Sequence, residues 1–488
     1  MTSAFSAHGR HTLDGTVRVF LAEALILPTG LVTTAVLTRN LGTEGYGLFT
    51  LAATLVTWVE WCISALFARA TYLRISEAAD WRPIGTTVLR LHLAVSTASA
   101  AVLLLLADPV ARMLGEPVLS GYLRLFAIDI PIASVAHAHR DLLIGMGGFR
   151  QRALISAGRW TVRLLLIVAL VGLGFSVPGA IVASMGATLV AAGIGRCFVR
   201  ASLFTRTQAS ARSLLGHAVP LFLCSICMMA VDRLDLFFLK TLGGSADLAG
   251  IYGVAQNLAI VPRLFALAFA PLLLSTLTRL LRDGDQRLAR GMGRDGMRLV
   301  LVLLPFAAMA AGAAGEVVEA IAGRRFGAAG PLLAILLFGG LASTMMSVGT
   351  AVLTAGGRSG MTFVIAGPLV PAAIVGHLLA IPRFGAVGAA AVTAACTVLG
   401  ALGTMAAVYR YWRIAPPVGS LVRSVVVGGG AYALAAGWPV SGLLLPVKFA
   451  VIMLLIAAGL LGLGEFDRRE VALARSLVPW SLQVAHDE

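Results

Sequence analysis

Three arginines lie inside long apolar stretches of the sequence: Arg159, Arg163 and Arg263. A guanidinium stays charged at physiological pH and can donate two parallel hydrogen bonds to one phosphate or diphosphate. A charge at membrane depth costs about 2.5–3.5 kcal/mol, so a membrane protein keeps one there mainly for function. If these stretches cross a bilayer, the three side chains predict an anion-binding site within it.

Arg263 is the first candidate because it is predicted to lie deepest in its segment. At 1.5 Å per residue it lies about 22 Å along a helix predicted at 248–280, too far for its side chain to reach water at either end. Pro262 precedes it and removes a backbone hydrogen bond. The alternative is a structural ion pair with Asp232 or Asp235 on the preceding apolar segment.

Arg159 and Arg163 share one face of a predicted helix with Arg152, because steps of seven and four residues return to the same side. Such a stripe could draw a lipid diphosphate into a cavity. Alternatively, it could bind ordinary anionic headgroups from a helix that extends below the membrane.

Four acidic side chains in apolar stretches are candidates for ion coupling: Glu23, Glu60, Asp129 and Asp235. A buried carboxylate can take up and release a proton as its surroundings change. Glu23 precedes Pro28, which is a predicted bending point of the first helix. For each carboxylate the alternative is a structural partner elsewhere in the fold.

The composition identifies the environment of these residues. Of 488 residues, 58% are hydrophobic and only 12% are charged, and the mean hydropathy is +0.90. A soluble domain carries about 25% charged residues, so most of this surface must face lipid. We predict an all-α polytopic membrane protein. The net charge of +15 then reflects arginine-rich cytoplasmic segments, and no nucleic-acid partner is expected.

Apolar runs predict about 14 transmembrane helices, since a spanning helix needs about 20 residues. They are predicted at 17–38, 46–68, 85–107, 119–145, 152–174, 177–200, 213–239, 248–280, 295–315, 329–354, 361–381, 385–409, 419–438 and 443–464. The predicted organisation is a cytoplasmic tail 1–16, a six-helix lobe 17–205, a cytoplasmic linker 206–212, a second six-helix lobe 213–412, two extra transmembrane helices 413–464 and a cytoplasmic tail 465–488.

Basic residues predict the orientation of the chain. With the N-terminus inside, most of the 38 Lys and Arg residues fall in inside segments, as cytoplasmic loops require. Both termini are therefore predicted to be cytoplasmic. No cleavable signal pattern precedes the first apolar run, so we interpret that run as a retained helix.

The stretch RNLGTEGYGLF, residues 39–49, is not a phosphate loop, because its GxxGxG spacing differs from GxGxxG and no lysine follows. We interpret it as the turn between the first two helices. Gly42 and Gly45 are predicted to supply positive φ, Gly47 to allow close helix packing and Tyr46 to lie at the membrane interface.

Cys224 and Cys227 form a CxxC pair inside an apolar run, without the second ligand pair that zinc requires. We interpret them as core thiols. No metal and no cofactor are expected, and no GxxxxGK[ST] motif occurs in the chain.

Two pairs of stretches indicate an internal duplication. RNLGTEGYGLFTLAATL (39–55) aligns with KTLGGSADLAGIYGVAQNL (240–258), and VPGAIVASMGATLVAAG (177–193) aligns with VGAAAVTAACTVLGALG (387–403). The repeat spans an even number of helices, so both copies have the same orientation and a substrate cavity is expected between them. Chance similarity between Gly- and Ala-rich helices is the alternative.

These stretches, with VPLFLCSICMMAVDRLDLFFLKTLGG (219–244), GIYGVAQNLAIVPRLFALAFAPLLLSTLTRLLRDGD (250–285) and LTAGGRSG (353–360) followed by IPRFGAVGAAAVTAAC (381–396), resemble one family. It is the polysaccharide (Wzx-type) flippase branch of the multidrug/oligosaccharidyl-lipid/polysaccharide (MOP) exporter superfamily. Lipid II flippases and MATE exporters are its relatives.

The resemblance implies two six-helix bundles in a V in the bacterial inner membrane. They would move an undecaprenyl-diphosphate-linked oligosaccharide from the inner to the outer leaflet by alternating access, driven by an ion gradient and without a catalytic site. It also suggests polysaccharide polymerase and chain-length machinery as partners. The predicted substrate-cavity residues are Arg159, Arg163, Arg233, Gln256, Asn257 and Arg263.

One departure bears on the substrate. Lipid II flippases tend to carry an acidic-basic pair after the tyrosine that opens helix 8, whereas Tyr252 is followed by Gly253-Val254-Ala255-Gln256-Asn257. This favours an O-unit or exopolysaccharide repeat as the substrate. The alternatives are a lipid II flippase, a MATE-like multidrug or cation antiporter, a membrane polymerase and a non-transporting scaffold.

Overall fold

The structure is a computed structural model that describes residues 25–77, 80–200, 219–358, 360–414, 417–440, 442 and 444–466. All regular secondary structure in these ranges is helical, and 11 of the described helices are long and apolar enough to span a bilayer. The prediction of an all-α polytopic membrane protein is therefore confirmed. Glu23, Cys224's side chain, the tail 1–16 and the linker 206–212 lie outside the described residues.

The helices of the N-terminal lobe are α1 (Ile26–Glu77), α2 (Arg82–Met113), α3 (Val118–Ala127), α4 (Asp129–Gly145), α5 (Phe149–Gly172) and α6 (Ser176–Phe198). Those of the C-terminal lobe are α7 (Val219–Thr241), α8 (Ala246–Leu258), α9 (Val261–Arg282), α10 (Gln286–Val302), α11 (Leu304–Gly312), α12 (Ala314–Ala322), a 3-10 turn (Arg324–Phe326), α13 (Ala329–Ala355) and α14 (Gly360–Trp412). Two further helices follow, α15 (Val418–Gly437) and α16 (Leu444–Gly462).

Two of these helices consist of two arms joined at one glycine. Gly42 in α1 has φ 68° and Gly385 in α14 has φ 56°, a conformation that side-chain-bearing residues rarely adopt. Each arm corresponds to one predicted helix, and the count of about 14 spans stays a prediction. The predicted positive φ of Gly45 is wrong: its backbone is helical, because a single left-handed residue is enough for the kink.

The predicted helix 248–280 matches one candidate membrane span, Ala246–Arg282, but the helix is interrupted within it. α8 ends at Leu258 and α9 begins at Val261. Pro262 lies in the first turn of α9, where its missing N–H is not needed. Arg263 therefore lies at the start of a helix. The predicted helices 119–145 and 295–315 are interrupted in the same manner, at Ile128 and Leu303.

The turn glycines support the duplication. Gly42 and Gly243 occupy the same place in the first pair of aligned stretches, and both have positive φ. Gly174 and Gly385 stand just before the second pair and are also left-handed. The first pair of glycines matches in the alignment, and the second pair is out of register by one residue.

Ion pairs at both ends attach α15 and α16 to the C-terminal lobe. Lys448 is fully buried, and its Nζ lies 2.6 Å from Glu316 Oε2. Beyond the other end of α16, Glu465 accepts from Arg298 at 2.7 Å and from Arg423 at 3.1 Å. These pairs tie α16 to α12 and α10, so the two helices are a fixed part of the lobe.

Candidate functional site

The two lobes meet where the second arm of α1 crosses α8. A Cβ on Gly47 would lie 1.9 Å from the Ala246 carbonyl oxygen, and a Cβ on Gly250 would lie 2.1 Å from the Thr43 carbonyl oxygen. Thr43 Oγ1 also donates to the Asp247 carboxylate. The two backbones are therefore in contact, and only glycine leaves room for this crossing. We call this contact, formed by 43–50 of α1 and 246–257 of α8, the seam.

Tyr46 forms part of the seam. Its side chain is only 1% exposed, packed between helices, and its predicted level at the membrane interface stays a prediction. Its hydroxyl accepts a hydrogen bond from Asn257 Nδ2 at 2.7 Å, and its ring meets Phe326 edge to face at 5.9 Å. Asn257 thus joins the two lobes.

Two more polar contacts cross between the lobes near the seam. Lys240 Nζ lies 2.7 Å from Glu116 Oε1, and Arg39 donates to the Ala320 carbonyl oxygen at 3.0 Å. These residues lie at the helix ends that the predicted topology assigns to the outside. The lobes are therefore closed at that end.

In the C-terminal lobe, Asp235 is the centre of a buried hydrogen-bond network. One carboxylate oxygen accepts from the Leu236 N–H and Gln256 Nε2, each at 2.7 Å. The other accepts from Tyr252 Oη at 2.6 Å and Thr393 Oγ1 at 3.1 Å. All four donors are neutral, and they join α7, α8 and α14. We call these residues the Asp235 hub.

Two predicted substrate-cavity arginines lie near this hub. Arg263 is half-buried and within electrostatic range of Tyr252, and Arg233 is within range of Asp235. Asp232, the other predicted partner of Arg263, has a side chain outside the described residues. Pro262, beside Arg263, accepts a hydrogen bond from Thr344 Oγ1 at 2.9 Å, which fixes the start of α9.

In the N-terminal lobe the structure brings four predicted site residues together. Glu60 and Asp129 are buried, and both lie within electrostatic range of Arg159 and Arg163. Asp129 Oδ2 accepts from Thr188 Oγ1 at 3.3 Å, whereas Oδ1 has no hydrogen-bond partner among the described residues. We call Glu60, Asp129, Arg159 and Arg163 the N-lobe cluster.

A small open cleft lies beside this cluster, between α4, α5 and α6. Its polar lining consists of His137, Arg140, Ser156, Arg159 and Thr188. Neither His137 nor Arg140 is among the site residues predicted from the sequence. The signal that was available is a run of ionisable residues, His-Ala-His-Arg-Asp, inside the apolar stretch 119–145.

The remaining predictions concern Pro28, Glu23, the cysteines and a metal site. Pro28 is exposed in the first turn of the described part of α1, and Glu23 before it lies outside the described residues. Cys227 is a half-buried free thiol. The part of the chain that the structure describes holds no group of three or more His, Cys, Asp or Glu that could hold a metal ion.

Solved structures share this fold over nearly their whole length. The lipid II flippase MurJ, in an inward closed conformation, has a TM-score of 0.76 at 12% identity, covering 92% of this chain and 98% of the flippase. An inward-facing multidrug resistance MATE family transporter of the MOP superfamily has a TM-score of 0.63 at 14% identity, covering 84% and 95%. The Vibrio cholerae MATE transporter VcmN in its bent form has a TM-score of 0.56 at 15% identity, covering 84% and 98%. No curated protein matches the chain.

The fold is that of a polytopic all-α membrane protein, and these solved transporters share it. The family model for polysaccharide biosynthesis proteins matches residues 36–331, more than half of the chain. The chain therefore belongs to the polysaccharide biosynthesis protein family. The resemblance drawn from the sequence is confirmed at this level.

Proposed function

We propose that this protein is a flippase that moves an undecaprenyl-diphosphate-linked oligosaccharide, an O-unit or an exopolysaccharide repeat, from the inner to the outer leaflet. Membership of a polysaccharide biosynthesis family supports a glycan precursor as the cargo. The observation that carries the proposal is the set of arginines in membrane-spanning helices of both lobes, represented by Arg163 and Arg263. Their guanidiniums suit the diphosphate group that every such cargo shares.

Transport proceeds by alternating access between the lobes 17–205 and 213–412. The seam is closed in this structure, and in this proposal the cargo reaches the arginines from the cytoplasmic side. Gln256 is bonded within the Asp235 hub and Asn257 is bonded across the seam. Asn257 is exposed, and opening of the seam would release its amide N–H from Tyr46 for sugar hydroxyls.

Ion coupling is assigned to the N-lobe cluster. Each carboxylate competes with the cargo diphosphate for the same arginines, because unlike charges within about 4–6 Å stabilise one another. Uptake of a proton or another cation by Glu60 or Asp129 releases Arg159 and Arg163 for the diphosphate. An ion gradient can then drive the cycle without any catalytic chemistry.

The cell biology follows from the same proposal. The protein lies in the bacterial inner membrane with both termini in the cytoplasm, as the distribution of arginine predicts. The bilayer and the lipid-linked cargo are its partners, and a polysaccharide polymerase with its chain-length regulator receives the cargo on the outer side.

The test combines a deletion strain with purified protein. Deletion should trap lipid-linked oligosaccharide in the inner leaflet and deplete surface glycan, and wild-type protein in vesicles should expose that lipid on the opposite leaflet. Arg263→Gln should restore neither surface glycan in the deletion strain nor exposure of the lipid in vesicles, whereas Arg263→Lys should restore part of both. Lysine keeps the positive charge but lacks the planar guanidinium that donates two parallel hydrogen bonds.

The second candidate is a MATE-like antiporter, favoured by one observation. Two buried carboxylates, Glu60 and Asp129, lie in one lobe and could hold a cation. Normal surface glycan together with raised drug sensitivity in the deletion strain would overturn the flippase in favour of the antiporter. Growth rescue of a strain lacking its lipid II flippase would instead identify lipid II as the cargo.

A further inference from the structure

The cleft between α4, α5 and α6 presents hydrogen-bond donors. Arg140 Nη2 lies 2.5 Å from His137 Nδ1. An arginine can only donate, so Nδ1 accepts and the imidazole hydrogen must be on Nε2. His137 therefore has an N–H donor on its other edge, and the guanidiniums of Arg140 and Arg159 add further N–H groups to the lining.

The charge of the lining is positive. Two guanidiniums line the cleft and no carboxylate does. The acids nearby have donors of their own: Asp141 accepts from Tyr72 Oη at 2.9 Å, and Asp129 accepts from Thr188. Glu60 lies within electrostatic range of Arg140 and Arg159 and lowers the positive potential without lining the cleft.

The depth of the cleft matches a particular part of a lipid. Arg140 lies five residues before the end of α4 at Gly145, which is about 8 Å at 1.5 Å per residue. Arg159 lies ten residues after the start of α5 at Phe149, which is about 15 Å. Both helix ends lie on the predicted cytoplasmic side. The cleft therefore lies between the inner headgroup level and the middle of the bilayer.

We propose that this cleft is an entry site that binds the diphosphate of an isoprenoid-linked cargo on the inner-leaflet side, with His137 and Arg140 as binding residues. The proposal rests on the proposed flippase function and adds a location and two residues to it. Two guanidinium forks match the charge of a diphosphate better than that of an ordinary phosphodiester lipid, which carries a single negative charge.

The site lies on the path to the N-lobe cluster. Arg159 lines the cleft and is within electrostatic range of Arg163, and each guanidinium lies 5.8 Å from the centroid of the Trp160 ring. A diphosphate held by Arg140 and Arg159 can pass to Arg159 and Arg163 without losing its last cationic contact. Arg159 and Arg163 thus provide successive cationic contacts along one face of α5.

The test measures binding to the full-length protein in phosphatidylcholine nanodiscs by native mass spectrometry. The probes are undecaprenyl diphosphate, undecaprenol, phosphatidylglycerol and inorganic pyrophosphate. Arg140→Gln should weaken undecaprenyl diphosphate about tenfold to a hundredfold, the usual value of a charge-assisted hydrogen bond, and His137→Leu should weaken it less. The matched control Arg124→Gln, which removes an exposed arginine paired with Asp108, should bind like wild type.

The outcomes separate this proposal from the flippase function. Unchanged undecaprenyl diphosphate binding in Arg140→Gln, with wild-type binding and transport intact, would overturn the entry site and leave the flippase standing. An equal loss for phosphatidylglycerol would assign the cleft to ordinary headgroups and overturn it too. A loss for pyrophosphate without a loss for the lipid would assign it to a free anion. Failure of wild-type protein to bind or move any isoprenoid diphosphate would remove both proposals.

Folding defects are handled by a conservative variant. If Arg140→Gln lowers the thermal unfolding midpoint, Arg140→Lys decides, because it keeps the charge and the aliphatic stem. It should bind undecaprenyl diphosphate more weakly than wild type and recover most of the unfolding midpoint. Wild-type affinity in Arg140→Lys would remove the requirement for the guanidinium fork and overturn the proposed geometry.

Discussion

The two lobes share an architecture and differ in how they treat a buried carboxylate. In the C-terminal lobe, Asp235 receives four hydrogen bonds from neutral groups on three helices. In the N-terminal lobe, Asp129 receives one long hydrogen bond from Thr188 and lies among arginines with Glu60. Both oxygens of the Asp235 carboxylate have their hydrogen bonds, whereas the charges around Asp129 can be paired in more than one way.

This difference suggests a division of labour between the two lobes. Neutral donors with fixed geometry make a network that specifies helix positions and is costly to interrupt. Guanidiniums beside carboxylates form ion pairs that an incoming anion or proton can rearrange. We therefore assign positional stability to the Asp235 hub and exchange of ions and cargo to the N-lobe cluster.

The largest expected effect breaks the hub. Asp235→Ala leaves the Tyr252, Gln256 and Thr393 donors buried without an acceptor, at about 1–3 kcal/mol for each unsatisfied group. The unfolding midpoint in detergent should fall steeply. Asp129→Ala, the matched change in the other lobe, should cost about 1 kcal/mol or less. Equal losses in the two variants would contradict the division.

Changes at Arg163 and at Thr393 should separate transport from stability. Arg163→Gln should lower the initial rate of lipid flipping in vesicles at least about tenfold, since a hydrogen bond to a charged group contributes about 1.5–3 kcal/mol. Its unfolding midpoint should stay near that of wild type. Thr393→Val, which removes one donor from the hub, should show the reverse pattern: a lower midpoint and a preserved rate. A preserved rate in Arg163→Gln would contradict the role of the N-lobe cluster.

The seam between the lobes gives an intermediate effect. Gly47→Ala places a methyl group 1.9 Å from the Ala246 oxygen, so the closed seam cannot form without displacement. Thr54 lies one helical turn beyond the seam and lines a small cavity with Leu114 and Phe237. Thr54→Cys in a cysteine-free background should then react faster with a membrane-impermeant thiol reagent added outside.

The matched control for the seam is Gly30→Ala. A Cβ at Gly30 meets nothing within 4 Å, so this variant should leave the reaction rate at Thr54 unchanged. An unchanged thiol reaction rate in Gly47→Ala would show that the two helices shift locally to admit the methyl group without opening the seam.

The smallest effect concerns Glu465, an acid beyond the end of α16. Burial alone would raise its pKa, but hydrogen bonds from Ser420, Arg298 and Arg423 outweigh that and hold the pKa of Glu465 below its ordinary value. Its stabilisation is therefore complete above the unfolded value of about 4.3 and is lost as the pH falls through the folded value.

The measurement compares unfolding midpoints at about pH 6 and about pH 4. Wild type should lose more stability than Glu465→Gln over this interval, because the glutamine cannot titrate. The same acid-induced loss in both proteins would remove Glu465 as its source. This carboxylate thus provides a third type of environment, paired with arginine outside the membrane-spanning segments.

Much of the fold could be predicted from the sequence, because each helix is encoded locally. Apolar length predicts the spans, and arginine placement predicts their orientation. Gly42 could be predicted as a turn because few residues other than glycine adopt its backbone. Gly45 could not be excluded from the same turn, since a glycine also fits a helix. The helix break at Pro262 could not be predicted without the helices that pack beside it.

The amino-acid sequence alone is enough to identify an all-α membrane protein, its resemblance to a polysaccharide-flippase family and the arginines inside its apolar stretches. Only the tertiary structure decided which buried groups meet. Asp235 and Thr393 are 158 residues apart, and Tyr46 and Asn257 are 211 apart. Local propensity and hydropathy carry no information about such pairs. They form because buried polar groups must find donors and acceptors inside the fold, and helix packing alone determines which ones lie within reach.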